Sequence, residues 1–543
     1  MPRIGNTTIS PEGLIESRSI SVAELAHVLD VLLIANKVKQ ESWHFPDLVA
    51  LLDQVTKVNP HQHITGSIGD PKLLMRVIQV YRQDQVAQEA FLDYILNDFM
   101  VREEDIPGFF EQSDDALLEW FQRKIPLSGD PADFDEADDR LNLIRLAFQS
   151  SHPDSLELLQ EAYRIVALEN AQHGVEEVWF RTALGDHETD GFKKAAEAAL
   201  RGAHAAVAGS PAPLQVKYLV GLRKQDLETT AGNGKSDLID RRAEGLVSAI
   251  QQLRSSRPNA KRMLWGIDSV GLDSRWRPEW QATARRAAAK ARLRVAVHFG
   301  ESWQEGELLI RLKILQDLVE FGTVQQLDNA NILFAVKDLA NSDRLYSNDH
   351  WAEIRQVQRK ILDAMVKREI ALGINPTSND WLTRSLRRRE GWRFRELEEP
   401  LGVGMASVVD LMIGGRVDSK HLIVVVGNDN SRLYGSRVPG GLLTVSEELA
   451  NLWDAHGSIE RSIYGKVSTE VVARLISNGF VVARSGGDDL LDEWHSPVDL
   501  LPESVLKLDD DGECALAELE SMHSSDINID RAQYPVWPPD PPP

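Results

Sequence analysis

Cysteine is almost absent from this chain. The 543 residues contain one cysteine, Cys514. A single cysteine excludes an intrachain disulfide framework and any zinc site built from several cysteines. This composition is typical of a protein in a reducing compartment, and we expect a cytoplasmic location.

Positive charge and long apolar segments are also scarce. Lys and Arg number 60 against 83 Asp and Glu, which gives a formal net charge of −23. This balance excludes a general nucleic-acid surface and a surface for anionic membranes, because both need a positive field. No stretch approaches the ~20 apolar residues of a membrane span. The first residues, MPRIGNTTISPEGLIESRS, lack the apolar core of a signal peptide, so we expect a soluble protein that is not exported.

The rest of the composition is that of a globular protein. The chain length predicts one large domain with additions. Hydrophobic residues make up 43% and charged residues 26% of the chain. Apolar residues at helical spacing predict a helical N-terminal extension over residues 1–55. The main domain is expected over 56–455, with an insertion at about 335–365. Residues 456–543 are expected to form a C-terminal helical segment and an acidic, proline-rich tail.

The pattern of the main domain changes after residue 210. Residues 72–205 are predicted to be mostly helical. Short apolar runs then alternate with amphipathic helical segments, as in LQVKYLVGL, RMLWGID, LRVAVHFG, EIALGINP and HLIVVVGN. This alternation predicts an α/β fold in which helices cover parallel strands.

Polar side chains stand at the ends of these predicted strands. His61 and His63 follow the first strand, and Asp268, His298 and Asp429 close three others. In a (β/α)₈ barrel the carboxyl ends of all strands meet on one face, where the active site lies. Three histidines and a carboxylate are a ligand set that suits zinc or a similar divalent ion.

In these blocks the sequence resembles the adenosine deaminase-like metal-dependent hydrolases of the amidohydrolase superfamily. The resemblance covers roughly residues 56–450 and lies in KVNPHQHITGSIGDPKLL, GIDSVGLD, HFGES, INPTSN and GNDNSRLYG. It implies a distorted (β/α)₈ TIM-type barrel with one catalytic divalent metal ion, for which Zn²⁺ is expected.

The resemblance also implies a set of site residues. Glu301 and Asp429 would be catalytic, and Glu301 would be the acid that protonates the purine ring while an activated water attacks. The backbone of Gly271 would contact the base. From the residues alone, Glu301 could instead cap the helix that follows it, SWQEGELLIRLKIL. The metal ligands would be His61, His63, His298 and Asp429.

Two positions depart from the family pattern. Asn329, in QLDNANIL, stands where the family has a histidine that orients and deprotonates the attacking water. Asparagine can form a hydrogen bond there but cannot accept a proton at neutral pH. Asn430 stands where the family has a second aspartate that helps to hold the base. Either Asp328 or a residue of the insertion supplies the missing proton acceptor, or the protein is a metal-binding relative with little activity. His350 is the first candidate in the insertion, unless it is an ordinary helix-start residue.

The position of Thr65 bears on the substrate. In the nucleoside deaminases of this family an aspartate stands here and accepts a hydrogen bond from the ribose 5′-hydroxyl, and a carboxylate would repel a 5′-phosphate. The segment RSLRRREGWRFR, residues 384–395, holds six arginines, of which Arg387 and Arg388 are candidates for binding phosphate. The same segment could equally be a solvated helix face paired with ELEEP, or a subunit contact.

Together these residues predict a deaminase of an adenine nucleotide, such as ATP or dATP, in preference to a free nucleoside. The chain is also loosely similar to the larger deaminase-like proteins of bacterial antiphage systems, which implies a homo-oligomer and a defence-system partner protein. The alternative is a catalytically weakened barrel that serves as a binding or assembly subunit.

Overall fold

The computed structural model describes most of the chain up to residue 484. The described residues are 3–4, 7–8, 21–35, 45–97, 101–127, 134–150, 152–184, 189–223, 236–270, 278–301, 305–337, 345–394, 416–417, 420–435, 441–453 and 469–484. Several predicted features lie outside them: Gly271, residues 338–344 of the insertion, the acidic and proline-rich tail, and the side chains of Arg387 and Arg388.

Eight parallel strands form a (β/α)₈ TIM-type barrel, which confirms the predicted fold. In the order in which they hydrogen-bond, the strands are β14 (Val424–Val426), β10 (Ala371–Ile374), β8 (Gln326–Asp328), β7 (Arg294–His298), β6 (Leu264–Val270), β5 (Gln215–Arg223), β4 (Val175–Thr182) and β3 (Lys57–His63). A bridge between Gln62 and Asp429 joins the first and last strands and nearly closes the barrel. The short pairs outside it are β1 (Arg3–Ile4) with β2 (Thr7–Thr8), β9 (Ala335–Lys337) with β11 (Trp392–Phe394), and β12 (Arg416–Val417) with β13 (Lys420–His421).

Sixteen helices in the described part of the chain surround the barrel. In chain order, α1 to α16 are Val22–Ala35, Phe45–Leu52, Pro71–Gln83, Gln85–Asn97, Asp114–Lys124, Phe134–Gln149, Pro153–Gln172, Asp190–Gly209, Ser236–Ser256, Pro258–Met263, Pro278–Lys290, Leu308–Phe321, Asn348–Lys367, Pro376–Glu390, Val445–Trp453 and Thr469–Arg484. Among these described helices, none has both the length and the apolar character that crossing a membrane requires.

Residues 72–205 are mostly helical, as predicted, but they also contain strand β4, which the prediction did not include. Its sequence, VEEVWFRT, is buried at all eight positions although three of its residues are charged. Partners inside the barrel compensate two of these charges: Glu177 lies 2.6 Å from Lys217 on β5, and Arg181 lies 3.3 Å from Asp268 on β6. A strand with charged residues is not an apolar run, so the sequence pattern did not indicate it.

The five helices α3 to α7 stand between β3 and β4. Helices α3, α4 and α5 contribute to one aromatic core, in which the ring of Tyr81 lies 4.5 Å from Phe91, 5.7 Å from Phe110 and 6.4 Å from Phe121. Because a crossover between two parallel strands needs only one helix, the four additional helices form an elaboration of the barrel. One of them, α6, also contributes to the cavity described below.

Helix α16 covers the amino-terminal end of the barrel. Lys217 and Arg294 donate hydrogen bonds from inside the barrel to the carbonyls of Ala483 and Val482, at 3.3 and 3.5 Å. Cations near the last carbonyls of a helix are favourable because those carbonyls have no partner within the helix. The packing of α16 therefore fixes the end of the barrel opposite the candidate site.

Candidate metal centre

Strand β3 brings two histidines to the same side of the barrel wall. Side chains alternate along a strand, so His61 and His63 point inward together while Gln62 points outward. The side-chain amide of Gln62 donates to Ser67 Oγ at 3.1 Å and accepts from Asn170 Nδ2 at 2.6 Å. These bonds hold the segment between the two histidines in place.

Two other strand ends complete the cluster. His298 is the last residue of β7, and its Nε2 lies 3.0 Å from His61 Nε2 and 3.3 Å from His63 Nε2. The two β3 histidines have their Nε2 atoms 3.1 Å apart. Asp429 follows β14, and its Oδ1 lies 3.5 Å from His63 Nε2. The four predicted ligands therefore converge, although 368 residues separate His61 from Asp429 in the chain.

The spacing of these nitrogens fits a divalent ion. Zn–N bonds of about 2.0–2.1 Å in a tetrahedral site place two ligand atoms about 3.3 Å apart, close to the separations of 3.0 to 3.3 Å found here. Burial lowers the pKa of His61, and burial together with the neighbouring histidines lowers that of His63 well below its ordinary value. Neutral imidazoles offer the free lone pair that a metal needs.

A carboxylate lies behind each of two histidines. Asp268 contacts His298 Nδ1 at 3.0 Å, and Asp328 lies 3.4 Å from His61 Nδ1. Burial lowers the pKa of His298, but the charge and hydrogen bond of Asp268 outweigh burial and raise it to about 9. Such partners fix the tautomer and the ring orientation of a ligating histidine, with Nε2 facing the ion. Metal binding would then displace a proton from His298.

Arg181, on β4, joins the two carboxylates. Its guanidinium contacts Asp268 Oδ2 at 3.3 Å, Asp328 Oδ2 at 2.8 Å and the carbonyl of Pro60 at 2.8 Å. Asp268, His298 and Asp328 also lie close enough together to suggest a second ion. Arg181 already contacts both carboxylates and would repel a cation placed beside them, so the geometry favours one ion at the three histidines and Asp429.

Replacing Arg181 with methionine is expected to destabilise the fold by about 3–5 kcal/mol, because it leaves two buried carboxylates without their cation. Arg181 is 2% exposed. Urea unfolding of the variant and the wild type measures the difference. The matched control is Arg76→Met, since Arg76 forms an exposed ion pair with Glu157 and should cost less than about 1 kcal/mol. Equal stability of the two variants would show that the carboxylates do not depend on Arg181.

Glu301 lies beside the histidine cluster and does not cap a helix. The N-cap of α12 is Glu307, which makes no capping hydrogen bond through its side chain, so the capping interpretation of Glu301 is wrong. The carboxylate of Glu301 lines the cavity above the cluster and accepts a hydrogen bond from Asn329 Nδ2 at 3.1 Å. A carboxyl group in this position can exchange a proton with a molecule in the cavity.

Asn329 lies behind Glu301, not on the cavity wall. It is 1% exposed and has a left-handed backbone with φ of 60°, a conformation that asparagine tolerates well. The backbone N–H of Asn375 donates to Asn379 Oδ1 at 3.0 Å, and Asn379 Nδ2 donates to Asn329 Oδ1 at 2.8 Å. The second of these hydrogen bonds occupies Oδ1 of Asn329, so the NH₂ group of Asn329 faces Glu301. Asn329 therefore orients Glu301.

Neither candidate for the missing proton acceptor faces the cavity. Asp328 is fully buried beneath the histidines; burial raises its pKa, but the charges of Arg181 and the neighbouring histidines together outweigh burial and hold the pKa below its ordinary range. His350 is exposed and forms a capping box with Ser347 at the start of α13. His350 is thus an ordinary helix-start residue, which was the alternative to a role as proton acceptor.

A cavity of about 370 Å³ opens above the cluster, which is in the size range of small-molecule sites. His63, His298, Glu301, Asp429 and Thr65 line it. Asn430 lines it too and donates to Asp429 Oδ1 at 2.8 Å, and its side chain packs over Gly66, where a Cβ would collide with it. Thus Thr65 and Asn430 lie where the sequence places substrate-binding residues.

The sequence did not indicate four residues of this centre. Asp268 closes a predicted strand, and that position was the available signal for its place in the site. Arg181 was missed because its strand was missed. Asn379, in the block INPTSN, gave no signal of its own, since its role depends on contact with Asn329. Tyr434, in GNDNSRLYG, lines the cavity and is buried.

Comparisons with known proteins found similarity only at the level of structure. No protein-family model matches the chain, and no curated protein sequence matches it. A Zn-bound amidohydrolase from Burkholderia ambifaria is 13% identical, with 88% of this chain and 95% of that chain covered and a TM-score of 0.48.

Two further solved structures are similar at the same level. The Arabidopsis N6-mAMP deaminase is 14% identical, with 81% of this chain and 96% of that chain covered and a TM-score of 0.44. The adenine deaminase of Arthrobacter aurescens is 13% identical, with 86% and 99% covered and a TM-score of 0.44. The structural neighbours of this chain are amidohydrolases and deaminases of the adenosine and AMP deaminase type, at low sequence identity.

Proposed function

We propose that this protein is a metal-dependent hydrolase that removes the amino group of an adenine nucleotide and releases ammonia. The observation that carries the proposal is the convergence of three histidine nitrogens within 3.3 Å of one another, with Asp429 beside them and Glu301 on the wall of the same cavity. His61, His63, His298 and Asp429 would hold the ion. A divalent ion acidifies water and so supplies a nucleophile at neutral pH.

The residues of the chain would divide the remaining work. Glu301, as a carboxylic acid, would donate its proton to a ring nitrogen of the purine, which makes the carbon bearing the amino group more open to attack. Asn329 and Asn379 would keep that carboxyl group oriented toward the cavity. Asp268 and Asp328 would keep His298 and His61 in the tautomer with Nε2 free.

The proposal that the base is adenine rests on the sequence blocks. The proposal that the substrate is a nucleotide rests on Thr65. Thr65 lines the cavity in place of a carboxylate that would repel a phosphate. The test is to incubate the metal-loaded protein with adenosine, AMP, ATP and dATP and to look for inosine products by mass spectrometry. Product from a nucleotide at a higher kcat/KM than from adenosine is expected. A protein with one ion per chain that converts none of the four is not a deaminase of this class.

One observation favours the second candidate function, a binding or assembly subunit with little activity. Asn329 cannot accept a proton, and the described residues of the cavity include no histidine outside the proposed ligands. This candidate predicts stoichiometric metal and nucleotide binding without turnover, which the same assay measures. Homo-oligomer formation and a role in antiphage defence stay predictions.

Asn329→His is expected to raise kcat by about tenfold or more, since a general base contributes about 10²–10⁴-fold. A neutral imidazole has one donor, which can keep the bond to Glu301, and one acceptor nitrogen, which can take up a proton in place of the bond from Asn379. The measurement is steady-state kinetics with the best substrate of the assay above.

Asn329→Gln is the matched control for this variant. It keeps an amide and adds no proton acceptor, so kcat should not rise. A fall in kcat for both variants would mean that the fixed orientation of Glu301 matters more at this position than a proton acceptor.

A further inference from the structure

One wall of the cavity is a face of helix α6. The α6 residues that line it recur at helical spacing and include Asp138, Leu141, Arg145 and Phe148. Helix α6 belongs to the elaboration between β3 and β4. The cavity therefore extends from the metal centre to a part of the chain that contributes none of the predicted site residues.

Two arginines are among the described residues that line the cavity, and they differ in burial and in the partners of their charges. Arg181 is buried and neutralised by Asp268 and Asp328. The side chain of Arg145 is 21% exposed, and its guanidinium contacts Asp138 Oδ1 and Asn142 Oδ1, each at 2.6 Å. Both partners of Arg145 lie on its own helix, and the side chain of Asp138 is 33% exposed. A partly exposed pair of this kind exchanges partners readily.

No other lysine or arginine is among the described residues that line the cavity. Leu141, Phe148 and Phe192 form apolar surface there, and an ionised phosphate against such surface needs a compensating charge. An arginine guanidinium meets phosphate oxygens with two parallel hydrogen bonds. A phosphate carries more negative charge than the Asp138 carboxylate, so it can displace Asp138 from Arg145.

Building on the function proposed above, we infer that Arg145 binds the phosphate of the nucleotide substrate and so sets the preference for nucleotide over nucleoside. The base would then lie toward Glu301 and the metal centre, and the phosphate toward α6. Asp138 competes with the phosphate for the guanidinium and holds Arg145 at the cavity wall between turnovers.

The test compares the binding of IMP and inosine to the full-length, metal-loaded protein by equilibrium dialysis. These two molecules differ only in the phosphate, and neither can be deaminated. Arg145→Gln is expected to weaken IMP binding by about ten- to a hundredfold and to change inosine binding by less than about threefold. Arg76→Gln, at an arginine on the exposed surface of α3, is the matched control and should change neither.

A second variant keeps the inference testable if Arg145→Gln is poorly folded. Asp138→Asn removes the competing carboxylate, so it should strengthen IMP binding several-fold and leave inosine binding unchanged. A purely structural role of the Arg145–Asp138 pair predicts instead that both variants weaken both ligands alike. That result overturns the inference. Unchanged IMP binding in both variants overturns it as well.

The outcomes separate this inference from the proposed function. Arg145-dependent IMP binding by a protein that deaminates nothing supports the inference and rejects the function. Deamination of nucleotides with unchanged KM in Arg145→Gln supports the function and rejects the inference. If the wild-type protein deaminates none of the four substrates and binds neither IMP nor inosine, both are rejected.

Discussion

Glu301→Gln is expected to lower kcat by about 10²–10⁴-fold while the protein keeps its metal. The amide cannot donate the proton that a carboxylic acid gives to the purine ring, yet it has the same size and can still accept the hydrogen bond from Asn329. Glu301 is not among the donor atoms that converge in the cluster, so metal content should not change. Steady-state kinetics and metal analysis on one preparation give both quantities.

The control for this variant is Glu305→Gln, an exposed glutamate four residues further along the same loop. It should leave kcat within about twofold, because it is a surface change away from the site. Should Glu301→Gln retain more than a tenth of the wild-type kcat, another group donates the proton. Should it lose the metal as well, Glu301 is a ligand and the assignment of the four ligands needs revision.

His298→Ala is expected to abolish both metal binding and activity. It removes one of three nitrogens that lie within 3.3 Å of one another. Loss of a group behind a ligand already costs about 10–100-fold in metal affinity, and loss of the ligand itself costs more. The substitution also leaves Asp268 without the ring that it contacts at 3.0 Å. The metal-to-protein ratio after dialysis, with thermal unfolding to check the fold, measures the effect.

A weaker variant at the same place gives an intermediate result. Asp268→Asn keeps the ligand and changes only the group behind it, so metal affinity should fall by about 10–100-fold. His350→Ala serves as the control, since His350 is an exposed helix-start histidine, and it should keep a full complement of metal. A His298→Ala protein that still binds one ion per chain would place the metal site elsewhere.

The fold and the convergence of the four candidate ligands could be predicted because their signals are local. His61 and His63 stand one residue apart at the end of a strand, so the alternation of side chains already places them on one side. His298 and Asp429 close apolar runs, and the carboxyl ends of parallel strands must meet in a barrel. The block resemblance supplied the role expected of Glu301, but it did not indicate that Asn329 contacts Glu301.

The charges beneath the histidines could not be predicted in this way. Arg181 lies on a strand whose charged residues hide its pattern, and its partner Asp268 is 87 residues away in the chain. Whether a buried arginine faces one carboxylate, two or none depends on the register of β4 against its neighbours. The prediction that residues 72–205 are mostly helical did not include this strand, and it therefore missed the role of Arg181.

The sequence by itself determined the barrel, the four candidate ligands and the carboxyl group beside them, because strand periodicity and residue chemistry act over a few positions. The tertiary structure alone decided which arginine neutralises Asp268 and Asp328, and that Asn329 orients Glu301. It also brought Arg145 to the cavity wall. The reason is physical: the effect of a charge or a hydrogen bond depends on distance in space, and the partners here come from strands and helices that are far apart in the chain.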